Sequence, residues 1–539
     1  MAYPSSRRDF LKFLGRTGVA GAGLSLLGSG VLLQACKEEP AAKAPFALKP
    51  LAPSIQDDLL LVEGMEYQVV LRWEDALNAN ETFGTHCDFL AFVPLNVEDP
   101  DDGLLWVNHE YMQPLLIHRE AQAPRTKANI DKEMQQIGGS IVRVRKTEAG
   151  AWQYVQDDSH NRRLSAHTLI PFAWSQPIAG SEQAMGTLAN CAGGTTPWGT
   201  ILTCEENYDQ FWGERQHGEE ALSMQGDYGW EQYYDCPPEH YGWVVEVNPK
   251  TGEAKKLVAL GRCMHEAATL YPGADGRVVA YTGDDTEDEH LYKFIGDTPN
   301  SLESGKLYVA NVERGEWVSL QWDEQPILQE HFNNQTEVQV YTRKAAKLVG
   351  ATPLARPEDI EIDPVTGHVL VALTNNKAKG DYHGQILKIM EEDPEKRGLT
   401  FTSETFLAGG PEMEFSCPDN MAFDAVGNLW FTSDISGSAV GKGEYAPFGN
   451  NGLFLVPTAG EQAGKVMRVA TAPMDAEFTG PTFSPDGKTL FLCIQHPGET
   501  SKSMDALTSH WPNGGDDVPR SSVVAIQGEA LEAIVQGRV

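Results

Sequence analysis

The chain has 539 residues, enough for about two or three ordinary domains or for one large repeat domain. Hydrophobic residues make up 41% and charged residues 22% of the chain, which indicates a globular rather than a disordered protein. The formal net charge of -34 argues against nucleic-acid binding, since such binding depends on Lys and Arg side chains that neutralise phosphates. This charge suits a protein that collects divalent cations, and plain solubility is the alternative explanation.

The amino terminus is typical of an export signal. Residues 6–12 carry the paired arginines of a twin-arginine signal, and a glycine- and serine-rich apolar run follows over residues 19–33. That run is short and only mildly apolar, which makes it a poor membrane span. We therefore expect export by the twin-arginine (Tat) translocase, to the periplasm or to the outside of the cell.

A lipid anchor is predicted at the end of this signal. Residues 33–36 are similar to a lipobox whose cysteine is Cys36, and ordinary cleavage near Ala35 without lipid is the alternative. A lipidated product would be a membrane-anchored lipoprotein. We divide the chain into an export signal, a tether and one folded domain, over residues 1–36, 37–50 and 51–539.

The cysteine pattern favours at least one free thiol. The chain has 8 cysteines and no C-x-x-C spacing, so a zinc ribbon or a redox motif is not indicated. Lipidation of Cys36 leaves an odd number, which in an exported protein predicts an unpaired thiol. Cys191 is the candidate for that thiol.

Beyond residue 50 the chain alternates short strands with turns. A unit of aspartate, tight turn, glycine, strand and polar end recurs at residues 275–285, 362–373, 423–434 and 483–494. Such recurrence is typical of a β-propeller, whose blades are antiparallel sheets. We predict an all-β propeller of about six blades, with loop and short-helix insertions over one face. A multi-sheet sandwich is the structural alternative.

The stretch at residues 190–207 combines a thiol, two glycines and paired carboxylates. We interpret the glycines at 193–194 as a tight turn and residues 200–203 as a short strand that ends at Glu205 and Glu206. A thiolate suits a transition metal, and carboxylates suit Ca²⁺ or trivalent iron. The alternative is an ordinary hairpin with a buried cysteine and two solvated glutamates.

Further candidate ligands fall at blade-like intervals, each close to the start or the end of a predicted strand. Each alone has an ordinary structural explanation, because an aspartate beside a glycine is usually a turn residue. The repetition predicts that these groups converge at the centre of the propeller. The predicted ligands are Glu110, Cys191, Glu205, Glu206, Glu266, Asp285, Glu358 and Asp434, and Asp419 is a further candidate.

The stretch at residues 190–207 is similar to the signature of the PhoX family of secreted alkaline phosphatases. Further segments resemble that family in the same order, so the resemblance covers nearly all of the chain after residue 50. These segments are residues 108–110, 265–268, 281–285, 356–359, 418–420 and 494–499.

The resemblance implies a propeller that binds iron(III) and Ca²⁺ and hydrolyses phosphate monoesters. It implies that Cys191 is a thiolate ligand of iron and that Arg356 binds a phosphate oxygen. Glu358 joins these two residues as a catalytic group. The resemblance further implies metal ligands at Glu266, Glu358 and Asp434, and ligands mostly of Ca²⁺ at Glu110, Glu205, Glu206 and Asp285.

Two alternatives to a phosphate monoesterase remain at this point. One is a phosphodiesterase or a phytase-like hydrolase on the same scaffold, and the other is a non-catalytic propeller that binds Ca²⁺. Arg356 and Cys191 favour an enzyme, because neither residue type is needed to bind Ca²⁺. No serine lies in a G-x-S-x-G context, so serine-hydrolase chemistry has no support. We expect a monomer that acts on small phosphate esters.

Overall fold

The computed structural model describes residues 46–539 and shows six antiparallel sheets, which are the blades of a β-propeller. The predicted fold is confirmed, and the alternative of a multi-sheet sandwich is wrong. The twin-arginine signal, the lipobox and most of the tether lie outside the described residues. Over residues 46–539 no helix is both long and apolar enough to cross a membrane.

The strands of the amino-terminal half form two short elements and the first three blades. The first elements are β1 (Leu60–Leu61) and β2 (Glu66–Arg72). Blade one has β3 (Cys87–Asn96), β4 (Asp99–His109), β5 (Gly138–Lys146), β6 (Trp152–Tyr154) and β7 (Arg162–Leu164). A separate hairpin has β8 (Leu169–Pro171) and β9 (Gln183–Met185). Blade two has β10 (Asn190–Thr195), β11 (Ile201–Glu205), β12 (Val244–Val247) and β13 (Ala254–Lys256). Blade three has β14 (His265–Pro272), β15 (Val278–Asp284), β16 (Leu291–Gly296), β17 (Gly305–Asn311) and β18 (Glu316–Ser319).

The remaining strands form blades four, five and six. Blade four has β19 (Pro357–Ile362), β20 (Val369–Leu373), β21 (Gln385–Met390) and β22 (Thr402–Ala408). Blade five has β23 (Pro418–Phe423), β24 (Leu429–Ser433), β25 (Gly452–Val456) and β26 (Met467–Thr471). Blade six has β27 (Glu477–Phe483), β28 (Leu490–Gln495) and β29 (Ser522–Gln527).

Strands from the start of the described chain complete the last two blades. β2 pairs with β29 in blade six, with Glu66 opposite Gln527 and Arg72 opposite Ser522. β1 adds to β26 as the outermost strand of blade five. The ring is therefore closed by hydrogen bonds between the two ends of the chain, which leaves fewer open sheet edges.

The core consists of apolar layers between neighbouring blades. Between blades one and six, for example, Leu105 and Val107 of β4 share a buried cluster with Phe491 and Val523. Strands buried on both faces read as continuous apolar runs, which explains sequences such as that of β28. The first strand of each blade contacts the first strand of the next, so these six strands line the centre.

The helices are short and lie mostly in the connections between strands, as predicted. Two of them follow β4, one follows β11, three lie between β18 and β19, and the last ends the chain. They are α1 (Pro114–His118), α2 (Lys127–Met134), α3 (Asp209–Trp212), α4 (Pro326–His331), α5 (Gln335–Val340), α6 (Thr342–Leu348) and α7 (Glu529–Ile534). Because first and second strands are antiparallel, the long connections after β4, β11, β24 and β28 lie at the end of the propeller where the first strands begin.

Candidate metal centre and active site

Five blades present an acidic or thiol side chain at the same point of the first strand. In each of these blades the register between first and second strands shifts by a bulge near the start of the first strand. In every case the first residue of the bulge carries the carboxylate or the thiol. These residues are Asp88, Cys191, Glu266, Glu358 and Asp419. In blade six the bulge places Gly480 there, and Glu477 at the start of β27 supplies the carboxylate instead.

A second tier of carboxylates follows directly after the second strands. The backbone N–H of each residue donates to the carbonyl of a residue just before the first strand of its own blade, which fixes its position. The four bonds are Glu110 to His86 (3.1 Å), Glu206 to Ala189 (2.8 Å), Asp285 to Met264 (2.9 Å) and Asp434 to Cys417 (2.9 Å). The two tiers lie at the same end of the propeller.

The entrance to several first strands is held in a left-handed backbone conformation. The φ angles are 44° at His86, 50° at Ala189, 55° at Arg356 and 52° at Cys417. Residues other than glycine rarely adopt such angles, and the strain persists only where the surroundings enforce it. Its recurrence in four blades marks this end of the propeller as the functional one.

Cys191 lies between carboxylates of two neighbouring blades. Its Sγ is 3.1 Å from Glu266 Oε1 and 3.6 Å from Asp88 Oδ2. Burial raises the pKa of the Cys191 thiol well above its ordinary value, and the charges of Asp88 and Glu266 raise it further. The thiol therefore keeps its proton unless a cation is bound close by, in which case the thiolate is favoured.

The backbone of Cys191 is fixed from the neighbouring blade. The Asn108 side chain of β4 donates to the carbonyls of Cys191 and Ala192, the latter at 3.0 Å. Asn108 Oδ1 accepts from Thr203 at 2.7 Å and from Trp106 at 2.6 Å. All these partners are buried, so the position of the sulfur is set by a satisfied polar network.

The prediction of a tight turn at residues 193–194 is wrong. Both glycines lie within β10, and the turn comes later, with the Thr196 N–H donating to Thr200 at 2.9 Å. A Cβ atom on Gly193 would lie 2.2 Å from Leu202 O, and one on Gly194 would lie 2.1 Å from Ala268 O. The glycines therefore permit close packing of central strands rather than a turn.

Arg356 connects three of the carboxylates. Its Nε and Nη2 lie 2.8 and 2.7 Å from the two oxygens of Asp285, a bidentate arrangement. Nη2 is also 2.8 Å from Glu358 Oε1, and Nη1 is 3.4 Å from Asp434 Oδ2. Burial opposes the charge of Arg356, but Asp285, Glu358 and Asp434 outweigh it and raise the pKa of the guanidinium.

The buried carboxylates carry more negative charge than Arg356 can balance. Burial raises the pKa of Glu110 and of Asp419 to about 7, and other carboxylates add to the shift. Burial also raises the pKa of Glu266, followed by the charges of Asp419 and Asp285. Such a cluster of carboxylates is stable either with protons or with cations bound to it.

The residues fit metal ions. Asp88 Oδ1 and Glu266 Oε2 are buried without a hydrogen-bond partner, which is costly unless another group satisfies them. Three sets of side chains have ligand atoms within 4.8 Å of one another. Oxygen ligands suit Ca²⁺ and the sulfur suits a transition metal. The three sets are Asp88–Glu110–Cys191, Cys191–Glu206–Glu266 and Glu266–Asp285–Glu358.

A family model described as alkaline phosphatase PhoX matches residues 46–498 of the chain. The chain belongs to the PhoX alkaline phosphatase family. Among solved structures it is similar to Pseudomonas fluorescens PhoX in complex with vanadate, a transition state analogue. That match has a TM-score of 0.80 and 28% identity, and it covers 90% of this chain and 98% of that chain. Membership of the PhoX family makes this chain a phosphatase.

Two further similarities are too weak to bear on fold or activity. A protein of unknown function from Dyadobacter fermentans matches with a TM-score of 0.41 and 10% identity, covering 87% of this chain and 100% of that chain. A putative 6-phosphogluconolactonase from Bacteroides uniformis matches with a TM-score of 0.32 and 10% identity, covering 75% of this chain and 79% of that chain. No curated protein sequence matches the chain.

Of the ligands predicted from the sequence, Asp434 is in none of the three sets but contacts Arg356, whereas Glu205 lies apart from these residues. Its Oε1 lies 2.6 Å from Lys256 Nζ, and its Oε2 accepts from the backbone of Gly242 and Trp243 at 3.0 and 3.1 Å. Both Glu205 and Lys256 are fully buried. The hairpin alternative expected solvated glutamates at 205 and 206, but both are buried. Glu205 contacts Lys256, whereas Glu206 lies beside Cys191 and Glu266.

This geometry predicts opposite effects for two neighbouring substitutions. Glu205→Gln leaves Lys256 buried and unpaired, so we expect a loss of about 3–5 kcal/mol in the free energy of unfolding with metal content retained. Glu206→Gln is expected to reduce metal content at little cost to the stability of the metal-free protein, because burial raises the pKa of Glu206. Thermal unfolding and elemental analysis of both variants test this. Loss of metal from Glu205→Gln at unchanged stability would contradict it.

Metal removal is expected to make stability depend on pH. Glu110 and Asp419 have folded pKa values of about 7, above their ordinary values of 4.5 and 3.8. The folded state therefore binds more protons, and this contribution to stability is lost as pH rises through about 7. We expect the Tm of chelated protein to fall between pH 6.5 and 8, and added Ca²⁺ to reverse the fall. An Asp419→Asn variant should show a smaller fall, and a flat profile in chelated wild type would contradict the expectation.

Three groups at the site were not among the candidate ligands. Asp88 is a buried carboxylate of β3, Glu477 is a partly buried carboxylate at the start of β27, and Gln495 ends β28. Gln495 Nε2 donates to Asp88 Oδ2 at 2.7 Å and to Glu110 Oε2 at 2.8 Å. An alignment of the blades on their bulges would have found Asp88, since it occupies the position of Cys191.

The cysteines of the described chain are all free. The predicted unpaired thiol at Cys191 is one of seven, and the other six also lack a disulfide. Five of those six are buried, and the sixth, Cys236, is partly exposed. Cys36 lies outside the described residues.

Proposed function

We propose that this chain hydrolyses phosphate monoesters and releases inorganic phosphate, at a centre that binds iron(III) and Ca²⁺. The observation that carries the proposal is the position of Arg356. This arginine lies at the edge of a buried cluster of carboxylates and one thiol, where it contacts three of the carboxylates. A guanidinium that stays charged at alkaline pH, next to groups that hold cations, suits the binding of a phosphate dianion.

The choice of iron(III) and Ca²⁺ follows the chemistry of the ligands. Cys191 supplies one soft sulfur, with Glu266 Oε1 at 3.1 Å, and this mixed pair suits a transition metal. The remaining ligands are carboxylates, as Ca²⁺ prefers. We propose that Cys191 and Glu266 hold iron, together with Asp88 and Glu358. The proposed ligands of Ca²⁺ are Glu110, Glu206, Asp285 and Asp434.

Each protein group at the site has a separate role in phosphate hydrolysis. Arg356 binds and orients the phosphoryl group through Nη1, because its Nε and Nη2 are already paired with Asp285. Glu358 and Asp285 hold the guanidinium in place. When bound, the metal ions stabilise the charge that develops on the phosphoryl oxygens and lower the pKa of a bound water. Burial of the carboxylates excludes bulk water and strengthens these electrostatic interactions.

Substrate comparison tests the reaction class. The proposal predicts that 4-nitrophenyl phosphate is hydrolysed far faster than bis(4-nitrophenyl) phosphate, because Arg356 and the cations match a dianionic terminal group. A phosphodiesterase would reverse this order, and a phytase-like enzyme would prefer inositol hexakisphosphate to both. If the protein with iron and Ca²⁺ bound hydrolysed none of these esters, the alternative of a non-catalytic, cation-binding propeller would hold.

We propose that the protein is exported and acts as a monomer. The twin-arginine pattern at residues 6–12 supports export, and the lipobox-like residues 33–36 support a lipid anchor at Cys36. In cell fractionation the wild type is expected with the membrane and Cys36→Ala with the soluble periplasmic fraction. A soluble wild type would contradict the anchor while leaving export intact.

A further inference from the structure

An exposed lysine, Lys377, belongs to a chain segment that is hydrogen-bonded to the site. Lys377 is exposed in a 3-10 turn, Lys377–Lys379, and its Nζ lies 5.7 Å from the ring centroid of Tyr445. Lys379 pairs with Asp288, and the backbone N–H of Lys377 donates to Glu287 Oε1 at 3.1 Å. The ammonium group of Lys377 makes no ion pair with any acidic side chain in the described part of the chain. In a chain with a net charge of -34, an unpaired ammonium group is available to an anion from outside the protein.

The segment that carries Lys377 is attached directly to the site. The backbone N–H of Thr374 donates to the carbonyl of Arg356 at 3.2 Å. The side chain of Asn375 donates to Cys417 Sγ at 3.4 Å. Lys377 therefore follows shortly after a residue, Thr374, that is hydrogen-bonded to the backbone of the phosphate-binding arginine.

Tyr445 joins Lys377 to the same corner of the site. Its ring packs in a buried cluster with Cys417 and Ile435. Ile435 follows Asp434, whose Oδ2 lies 3.4 Å from Arg356 Nη1. The ring of Tyr445 thus lies between the exposed ammonium group of Lys377 and the residues next to Asp434, which contacts Arg356. The cation–π contact restricts the positions of that ammonium group.

We propose that Lys377, held over the ring of Tyr445, binds an anionic group on the leaving group of the phosphate ester. This inference rests on the proposed hydrolysis of phosphate monoesters. Of the carboxylates that contact Arg356, Asp285 and Glu358 are buried, whereas Asp434 is partly exposed and precedes the residue that packs against Tyr445. We therefore place the leaving group on the Asp434 side of Arg356, toward Lys377. Leaving groups with a carboxylate close to the ester oxygen bring a negative charge to the place where Lys377 is unpaired.

Two substrates of nearly equal size test the proposal. In 2-phosphoglycerate the leaving group carries a carboxylate, whereas in glycerol 2-phosphate a hydroxymethyl group takes its place. Lys377→Ala is expected to lower the ratio of kcat/KM for 2-phosphoglycerate to that for glycerol 2-phosphate about 2- to 5-fold, as for an exposed ion pair. The effect should shrink in high salt, and Lys377→Arg should retain the wild-type ratio.

Matched variants separate this role from net charge and from packing. Lys442→Ala changes the net charge equally in the loop that carries Tyr445, and Lys442 donates to Ser438 O at 2.8 Å. The ratio should stay at its wild-type value in Lys442→Ala and in Tyr445→Phe, which keeps the ring. An unchanged ratio in Lys377→Ala, or equal losses for both substrates, would overturn the proposal. If wild type hydrolyses neither ester, the monoesterase function itself fails.

Discussion

Replacement of Cys191 by serine is expected to abolish both iron binding and most of the phosphatase activity. Serine keeps the size of the side chain but replaces a soft, ionisable ligand with a hard hydroxyl that is poorly ionised. Loss of a group that only orients a metal ligand typically costs 10–100-fold, so loss of a ligand itself should lower kcat/KM by about 100-fold or more. Iron content and turnover of the purified variant are the measurements.

A second buried cysteine provides the control for this substitution. Cys204 is fully buried on the adjacent strand of the same blade, but it packs in the apolar cluster between blades two and three. Cys204→Ala should lower the free energy of unfolding through a small cavity and leave iron content unchanged. If Cys191→Ser behaved like Cys204→Ala, with iron and turnover retained, the thiol would be a structural residue and the iron assignment would fall.

Arg356→Ala is expected to retain the metal ions and lose phosphate binding. Hydrogen bonds to charged groups contribute about 1.5–3 kcal/mol each, so loss of the guanidinium should cost about 2 kcal/mol or more in transition-state stabilisation. That corresponds to about 30-fold or more in kcat/KM. Arg356→Lys should recover only part of the rate, since an ammonium group cannot form the bidentate pair with Asp285 that orients the guanidinium. Inhibition by inorganic phosphate should weaken in parallel.

Arg343 is the matched arginine for this comparison. It forms a bidentate pair with the buried Asp284, which directly precedes Asp285 in the chain. Arg343→Ala should leave that carboxylate buried and unpaired and destabilise the fold by about 3–5 kcal/mol, with phosphate inhibition unchanged. Equal loss of stability in both variants, with no difference in phosphate inhibition, would show that Arg356 is another structural arginine.

Much of the fold was predictable because each blade repeats a short local signal. The unit of aspartate, turn, glycine and strand at residues 275–285 and 423–434 marks second strands, and the side chains that end them meet at one end of the ring. Glu110 and Asp285 follow such strands directly. Their convergence required only that the blades be equivalent, so a single sequence was sufficient to place them.

The failures have physical causes that a single sequence does not show. Glycine suits a turn and a crowded strand equally well, and only the distance from Gly194 to Ala268 on the next blade decides between them. Successive side chains alternate between faces, so the contrast between Glu205 and Glu206 depends on where β11 ends. Asp88 was not predicted because it is the second residue of β3, after Cys87, and no turn signal precedes that strand.

The most direct test of an iron and Ca²⁺ centre is the metal content of purified wild-type protein, measured together with its visible spectrum and its hydrolysis of 4-nitrophenyl phosphate. We expect retained iron and Ca²⁺ and a visible band from a thiolate bound to iron(III). Activity should disappear when Ca²⁺ is chelated and return when it is restored, with iron retained throughout. A colourless protein, free of iron and Ca²⁺, that hydrolyses the ester at full rate would contradict a catalytic role for both metals.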